Sequence, residues 1–150
     1  MAKVYLGLGT NLGDKENNLR NALTEIERRV GNVVSLSAFY ETTPWGFVSD
    51  NSFLNAVACI ETPLCPQKVL QETKIIEKEL GRTEKTVEEY TDRLIDIDIL
   101  LYDDLILCEE GLVIPHPLMT SRAFVMEPLS EIAPELIHPL LLKKIKELVS

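Results

Sequence analysis

Residues 4–9 alternate between apolar and other positions, which predicts a first strand. Leu19, Ala22, Leu23, Ile26 and Val30 then keep helical spacing, and Gly31 is placed to end that helix. Residues 33–40, rich in β-branched and aromatic side chains, predict a second strand. Residues 53–61 predict a third, with Leu54, Ala56, Ala58 and Ile60 on its apolar face and Phe53, Asn55 and Val57 on the other. Pro66 can open a second helix, carrying Val69, Leu70, Thr73, Ile76 and Leu80 as far as Gly81. Residues 82–92 are polar, lack a core pattern and read as a long loop. A strand with two Asp residues follows, and Asp103-Asp104 can turn it into a short partner at 105–107. Beyond a Pro-punctuated segment, Pro139 can start a closing helix with Leu142, Ile145 and Val149 inward. The order βαββαβ predicts an α+β fold: a split, ferredoxin-like sheet with helices packed on it, a short extra hairpin and a C-terminal helix.

The length of 150 residues fits one domain. Hydrophobic content of 45% with 26% charged residues describes a soluble globular chain. No apolar run reaches membrane-span length, and the N-terminus lacks a signal pattern, so no membrane association is expected. Cys59, Cys65 and Cys108 are odd in number and lack metal-type spacing; reduced, part-buried thiols in a cytoplasmic protein fit them best. A formal charge of −9 argues against a nucleic-acid surface. It leaves room for a single nucleotide, whose phosphates a cation and a few arginines can neutralise.

The most informative chemistry lies in Arg93-Leu94-Ile95-Asp96-Ile97-Asp98-Ile99-Leu100-Leu101. In a strand, residues i and i+2 share a face. Asp96 and Asp98 therefore point one way, with Ile95, Ile97, Ile99 and Leu101 the other. Neighbouring carboxylates repel unless a cation lies between them, and Mg²⁺ is the natural occupant because it shares one or two carboxylates with substrate phosphates. The alternative is the solvated side of an edge strand.

Other candidates are weaker taken singly. Gly7, Gly9 and Gly13 resemble a dinucleotide loop, but three residues rather than two separate the last pair, and no P-loop motif occurs. These glycines read as structural, turning strand tightly into helix. Trp45, in the turn 41–46, either caps a core edge or walls a ligand site. Asn55 offers donors and an acceptor to a heteroaromatic edge beside the stacking ring of Phe53, or else ties down a loop. Arg82, Arg93 and Arg122 are either phosphate ligands or solubilising surface groups. His116, stiffened between Pro115 and Pro117 six residues before Arg122, fits an anion contact or a surface turn.

Together these residues resemble the 6-hydroxymethyl-7,8-dihydropterin pyrophosphokinase family of folate synthesis. The resemblance runs through Gly9-Thr10-Asn11-Leu12-Gly13-Asp14, Tyr40-Glu41-Thr42 to Gly46, and Phe53-Leu54-Asn55-Ala56. It continues through Gly81-Arg82, the Arg93 to Asp98 element, and Pro115-His116 to Arg122-Ala123-Phe124. It implies transfer of pyrophosphate from ATP, the co-substrate, to a reduced pterin, with release of AMP. It also implies that Asp96 and Asp98 hold two Mg²⁺ ions, with Arg82 and Arg93 beside them as catalytic residues. Arg82, Arg93, His116 and Arg122 match ATP contacts, while Thr42, Trp45, Phe53, Asn55 and Phe124 match pterin contacts. The expected partners are these small molecules alone, and the expected state is a monomer. Two departures fall in the loop that would close over the substrates: Glu84 stands where the family often has arginine, and Tyr90-Thr91-Asp92 where it often has W-x-P. The other readings are a non-catalytic ferredoxin-like regulatory domain and an ordinary kinase moving only the γ-phosphate.

Overall fold

A sheet lies between two sets of helices in the computed structural model, which describes residues 1–42, 52–81 and 95–149. β1 (Ala2–Thr10) leads through Gly13, with φ of 67°, into α1 (Lys15–Arg29). Asp14 caps α1 by accepting a hydrogen bond from the Asn17 amide at 3.2 Å. Gly31 follows the helix as expected, but close approach is what requires it. A Cβ there would sit 2.0 Å from the Glu61 carbonyl oxygen.

β2 (Asn32–Leu36) and β3 (Tyr40–Thr42) both pair antiparallel with β4 (Phe53–Thr62). The single strand expected over 33–40 is thus broken at 37–39. Ser37 turns inward there: its amide donates to the Val57 carbonyl at 2.9 Å, and its hydroxyl accepts from the Val57 amide at 3.0 Å. α2 (Pro66–Gly81) follows, then β5 (Asp96–Tyr102). The sheet order β2-β4-β1-β5, with β3 also on β4, is the expected ferredoxin-like arrangement and leaves β5 at an edge.

Three expectations fail in the C-terminal third. Residues 105–107 do not pair back onto the Asp strand. Asp103 instead exchanges hydrogen bonds with the Lys3 backbone at 2.9 Å, which anchors the turn to β1. The chain then forms a separate hairpin of β6 (Leu107–Glu109) and β7 (Leu112–Ile114). A 3-10 turn at Met119–Ser121 leads into α3 (Ala123–Ile132), a helix that the Pro-punctuated reading does not foresee. The closing helix shrinks to α4 (Ile145–Leu148): Ile145 is buried, but Leu142 is 73% exposed with φ of 57°, which no helix accommodates.

Val4, Leu6, Leu8, Ala56, Ile60 and Ile97 form the layer that meets α1 and α2. Val57, Leu100 and Leu101 form the opposite layer, against Met119, Val125 and Leu129. The pairing of β1 with β5 shifts between Leu6–Ile99 and Tyr5–Leu101, so the additional residue Leu100 makes a bulge. Strict alternation places Leu101 with Ile99; the bulge moves it to the other layer. All three cysteines are free thiols, Cys59 buried and Cys65 and Cys108 exposed. Among the described residues no helix is long and apolar enough to cross a membrane.

Candidate active site

Directly opposed residues on antiparallel strands share a face. On the face turned away from α1 and α2, Asn55 of β4 stands opposite Gly9 of β1, and Gly9 opposite Asp96 of β5. The next row on that face runs Val57, Gly7, Asp98. Neither glycine carries a side chain, and at Gly7 the space is taken by Leu100, whose side chain lies 3.5 Å from where a Cβ would stand, so only Gly9 leaves room beside Asn55. A Cβ on Gly9 would lie 3.0 Å from Asn55 Oδ1 and 3.8 Å from a Phe53 ring carbon. The turn role expected of these glycines therefore falls to Gly13, while Gly9 makes room beside Asn55 and Gly7 makes room for Leu100. That function is invisible without the strand register.

At the β4 end, Asn55 is buried and its Nδ2 donates to Thr42 Oγ1 at 3.0 Å. Thr42 pairs with Phe53 across β3 and β4, which brings Thr42, Phe53 and Asn55 together. Tyr40, opposite Asn55, donates its hydroxyl proton to Glu131 Oε1 of α3 at 2.7 Å. That bond pushes the Tyr40 phenol above its ordinary range. Both Glu131 oxygens also accept from the Ala38 amide, at 3.1 and 3.2 Å, which fastens α3 to the break between β2 and β3.

At the β5 end, Asp96 and Asp98 are half-buried, and Ile95, Ile97 and Ile99 are buried on the far side, as the alternation predicts. The Ile97 amide, between the two aspartates, donates to Glu77 Oε2 of α2 at 2.7 Å. Burial, opposed by this hydrogen bond and reinforced by the Asp96 and Asp98 charges, pushes the Glu77 carboxyl up to about 7. Glu77 is a residue that sequence reasoning misses, since its partner is a backbone group 20 positions away.

His116 sits just past β7 and donates its backbone amide to the Leu100 carbonyl of the bulge at 3.0 Å. Its Nδ1 accepts from the Leu118 amide at 3.1 Å, so the neutral ring carries its proton on Nε2. Burial, then the Arg122 charge, hold its pKa below the ordinary value, with Asp96 acting in the opposite sense. Arg122 flanks the start of α3, and its guanidinium lies 5.6 Å from the centre of the Phe124 ring. His116 and Arg122 thus come near the Asp strand, with Phe124 beside them. Arg82, Arg93 and Trp45, together with Glu84, Tyr90 and Asp92, lie outside the described residues. His138 is structural: buried, with Nδ1 accepting from the Leu140 and Leu141 amides at 3.2 Å. Among the described residues no three His, Cys, Asp or Glu side chains gather as a metal cluster.

The family model for 7,8-dihydro-6-hydroxymethylpterin-pyrophosphokinase (HPPK) matches residues 5–134. The chain belongs to the HPPK family. It is 51% identical over 141 residues to the 2-amino-4-hydroxy-6-hydroxymethyldihydropteridine pyrophosphokinase of Porphyromonas gingivalis, covering 93% of this chain and 95% of that one. A protein of the same name from Aquifex aeolicus is 42% identical over 147 residues, covering 98% and 90%. The wild-type HPPK-DHPS crystal structure from Plasmodium falciparum matches the fold with a TM-score of 0.81 at 19% identity, over 98% of this chain and 44% of that one. The HPPK match takes in β1 from Tyr5 onward, the other strands of the central sheet and all of α3, so Asn55, Gly9 and Asp96 fall within it.

Proposed function

We infer that this chain transfers pyrophosphate from ATP to the hydroxymethyl group of 6-hydroxymethyl-7,8-dihydropterin, releasing AMP, in folate synthesis. The observation that carries the site assignment is the row Asn55–Gly9–Asp96: a polar hydrogen-bonding group and a carboxylate pair on either side of a residue without a side chain. The pterin lies between them. Asn55, steadied by Thr42, reads its hydrogen-bonding edge; Phe53 and Phe124 stack on it, and the hydroxymethyl group faces the Asp strand. Trp45 completes this contact set.

Asp96 and Asp98 fit a hard divalent cation in chemistry, as two carboxylates on one strand face. Two Mg²⁺ ions would be held there by these carboxylates. When bound, they neutralise triphosphate charge. The reaction forms a bond from the hydroxymethyl oxygen to the β-phosphorus and breaks the bridge to the α-phosphate, leaving AMP. The nucleophile belongs to the substrate, so the protein's task is in-line positioning and charge compensation. Neutral His116 donates from Nε2 to the nucleotide, and Arg122 adds positive charge while its stacking steadies Phe124. Arg82 and Arg93 belong to the same anion-binding set and act as catalytic residues through charge compensation. In this reading the chain works as one pyrophosphokinase domain, residues 1–150, and as a monomer, every group assigned above belonging to this one chain.

Replacing either aspartate tests the site. Asp96→Ala and Asp98→Ala are each expected to lower pterin-dependent AMP formation by at least about a thousandfold with the circular-dichroism spectrum unchanged. Near-normal rates in both folded variants would remove the metal role from this pair.

A further inference from the structure

β5 carries both aspartates, yet among the described residues it is an edge strand, with β1 on one side only. Edge strands leave alternate backbone groups without a sheet partner, and their ends open readily. The outer side of β5 is nevertheless tied down at two points that bracket Asp98. The Ile97 amide donates to Glu77 at 2.7 Å, and the Leu100 carbonyl accepts from the His116 amide at 3.0 Å. The second tie is backbone to backbone and needs no particular side chain. The first depends wholly on Glu77, which reaches it from α2, a helix packed on the opposite face of the sheet from the aspartates. A carboxylate this desolvated is unfavourable unless it is hydrogen-bonded. Its bonded partner is the one backbone amide lying between Asp96 and Asp98.

We propose that Glu77 is a positioning residue that latches the outer edge of β5 at Ile97 and so fixes the spacing and direction of Asp96 and Asp98. Glu77 touches neither substrate nor metal. It acts through the strand, as groups behind a metal ligand commonly do, where their loss costs about 10- to 100-fold in metal affinity. The metal part of this inference rests on the pyrophosphokinase reading given above; the latch itself does not.

Glu77→Leu and Glu77→Ala remove the acceptor, the leucine while filling the same space; Glu77→Gln keeps an acceptor oxygen and drops the charge. The test uses the full chain, with calorimetric binding of a non-hydrolysable α,β-methylene ATP in the presence and absence of Mg²⁺. Amide hydrogen exchange at Ile97 is followed in metal-free protein. The acceptor-free variants are expected to lose about tenfold or more in Mg²⁺-dependent affinity and to exchange the Ile97 amide at least about tenfold faster. Glu77→Gln is expected to stay within about threefold of the parent on both readouts. Unchanged exchange and affinity in the acceptor-free variants would overturn the latch, as would a Glu77→Gln variant as impaired as they are. Should the parent bind the analogue equally well without Mg²⁺, the metal reading fails, and faster or unchanged exchange at Ile97 still decides for or against the latch.

Discussion

Gly9 sets the clearance on which Asn55 depends. A methyl group at position 9 meets Asn55 Oδ1 at 3.0 Å, so the amide must shift by a few tenths of an ångström and strain its bond to Thr42. Gly9→Ala is therefore expected to raise KM for the pterin by about tenfold. Its effect on KM for ATP should stay within about twofold, because the Asp strand is a further spacing away. Steady-state kinetics with each substrate varied in turn checks this, and equal effects on both constants would count against the division of the floor. Asp96, Asp98, Asn55 and Phe53 were legible in the sequence because a strand's alternation assigns each to a face. Gly9 and Glu77 were not. What Gly9 leaves room for, and what Glu77 bonds to, are set by which residues lie opposite one another across the sheet and the helix layer, and spacing along one strand carries no such information.

Elements were legible where a single period dominated. α1 and α2 present apolar residues at helical spacing, and their buried sets Leu19, Ala22, Ile26 and Val69, Thr73, Ile76 all fall among those the spacing selects, with Leu23, Leu70 and Leu80 partly buried beside them. α3 escaped because the prolines around it suggested a loop, although Val125, Leu129 and Ile132 keep helical spacing and Pro128 is accommodated inside the helix. The bulge at Leu100 and the break at Ser37 were also illegible, since each is fixed by a partner strand or helix distant in sequence. The junction of α1 with β2 makes a sharper prediction. Gly31 lies so close to the β4 backbone that a side chain there must displace Glu61. Gly31→Ala is expected to destabilise the fold by about 3 kcal/mol or more, through overpacking against backbone. Chemical denaturation measures it, and a loss under about 0.5 kcal/mol would contradict the close approach.

For the molecule as a whole, the raised Glu77 pKa ties stability to pH. In the folded metal-free chain this carboxyl retains its proton up to about 7, whereas the unfolded chain releases it near the ordinary 4.5. The folded state thus binds more protons between those values. The stabilisation from this group is complete below 4.5 and fades as pH rises through 7, a change on the order of 3 kcal/mol. His116 and His138 are both held below the usual histidine value by burial, so they act in the opposite direction as pH falls through 6.5. The comparison of parent with Glu77→Gln isolates the carboxyl. Relative to the parent, the variant is expected to gain stability steadily from pH 5 to 7.5 in urea unfolding. A constant difference would contradict the burial of Glu77. The pyrophosphokinase activity itself is tested most directly by incubating the chain with Mg-ATP and 6-hydroxymethyl-7,8-dihydropterin and separating AMP from ADP. Pterin-dependent AMP, matched by pyrophosphorylated pterin, is the predicted result. ADP in its place would mean that only the γ-phosphate moves, and no nucleotide product from folded protein would mean that the floor between Asn55 and Asp96 binds without catalysing.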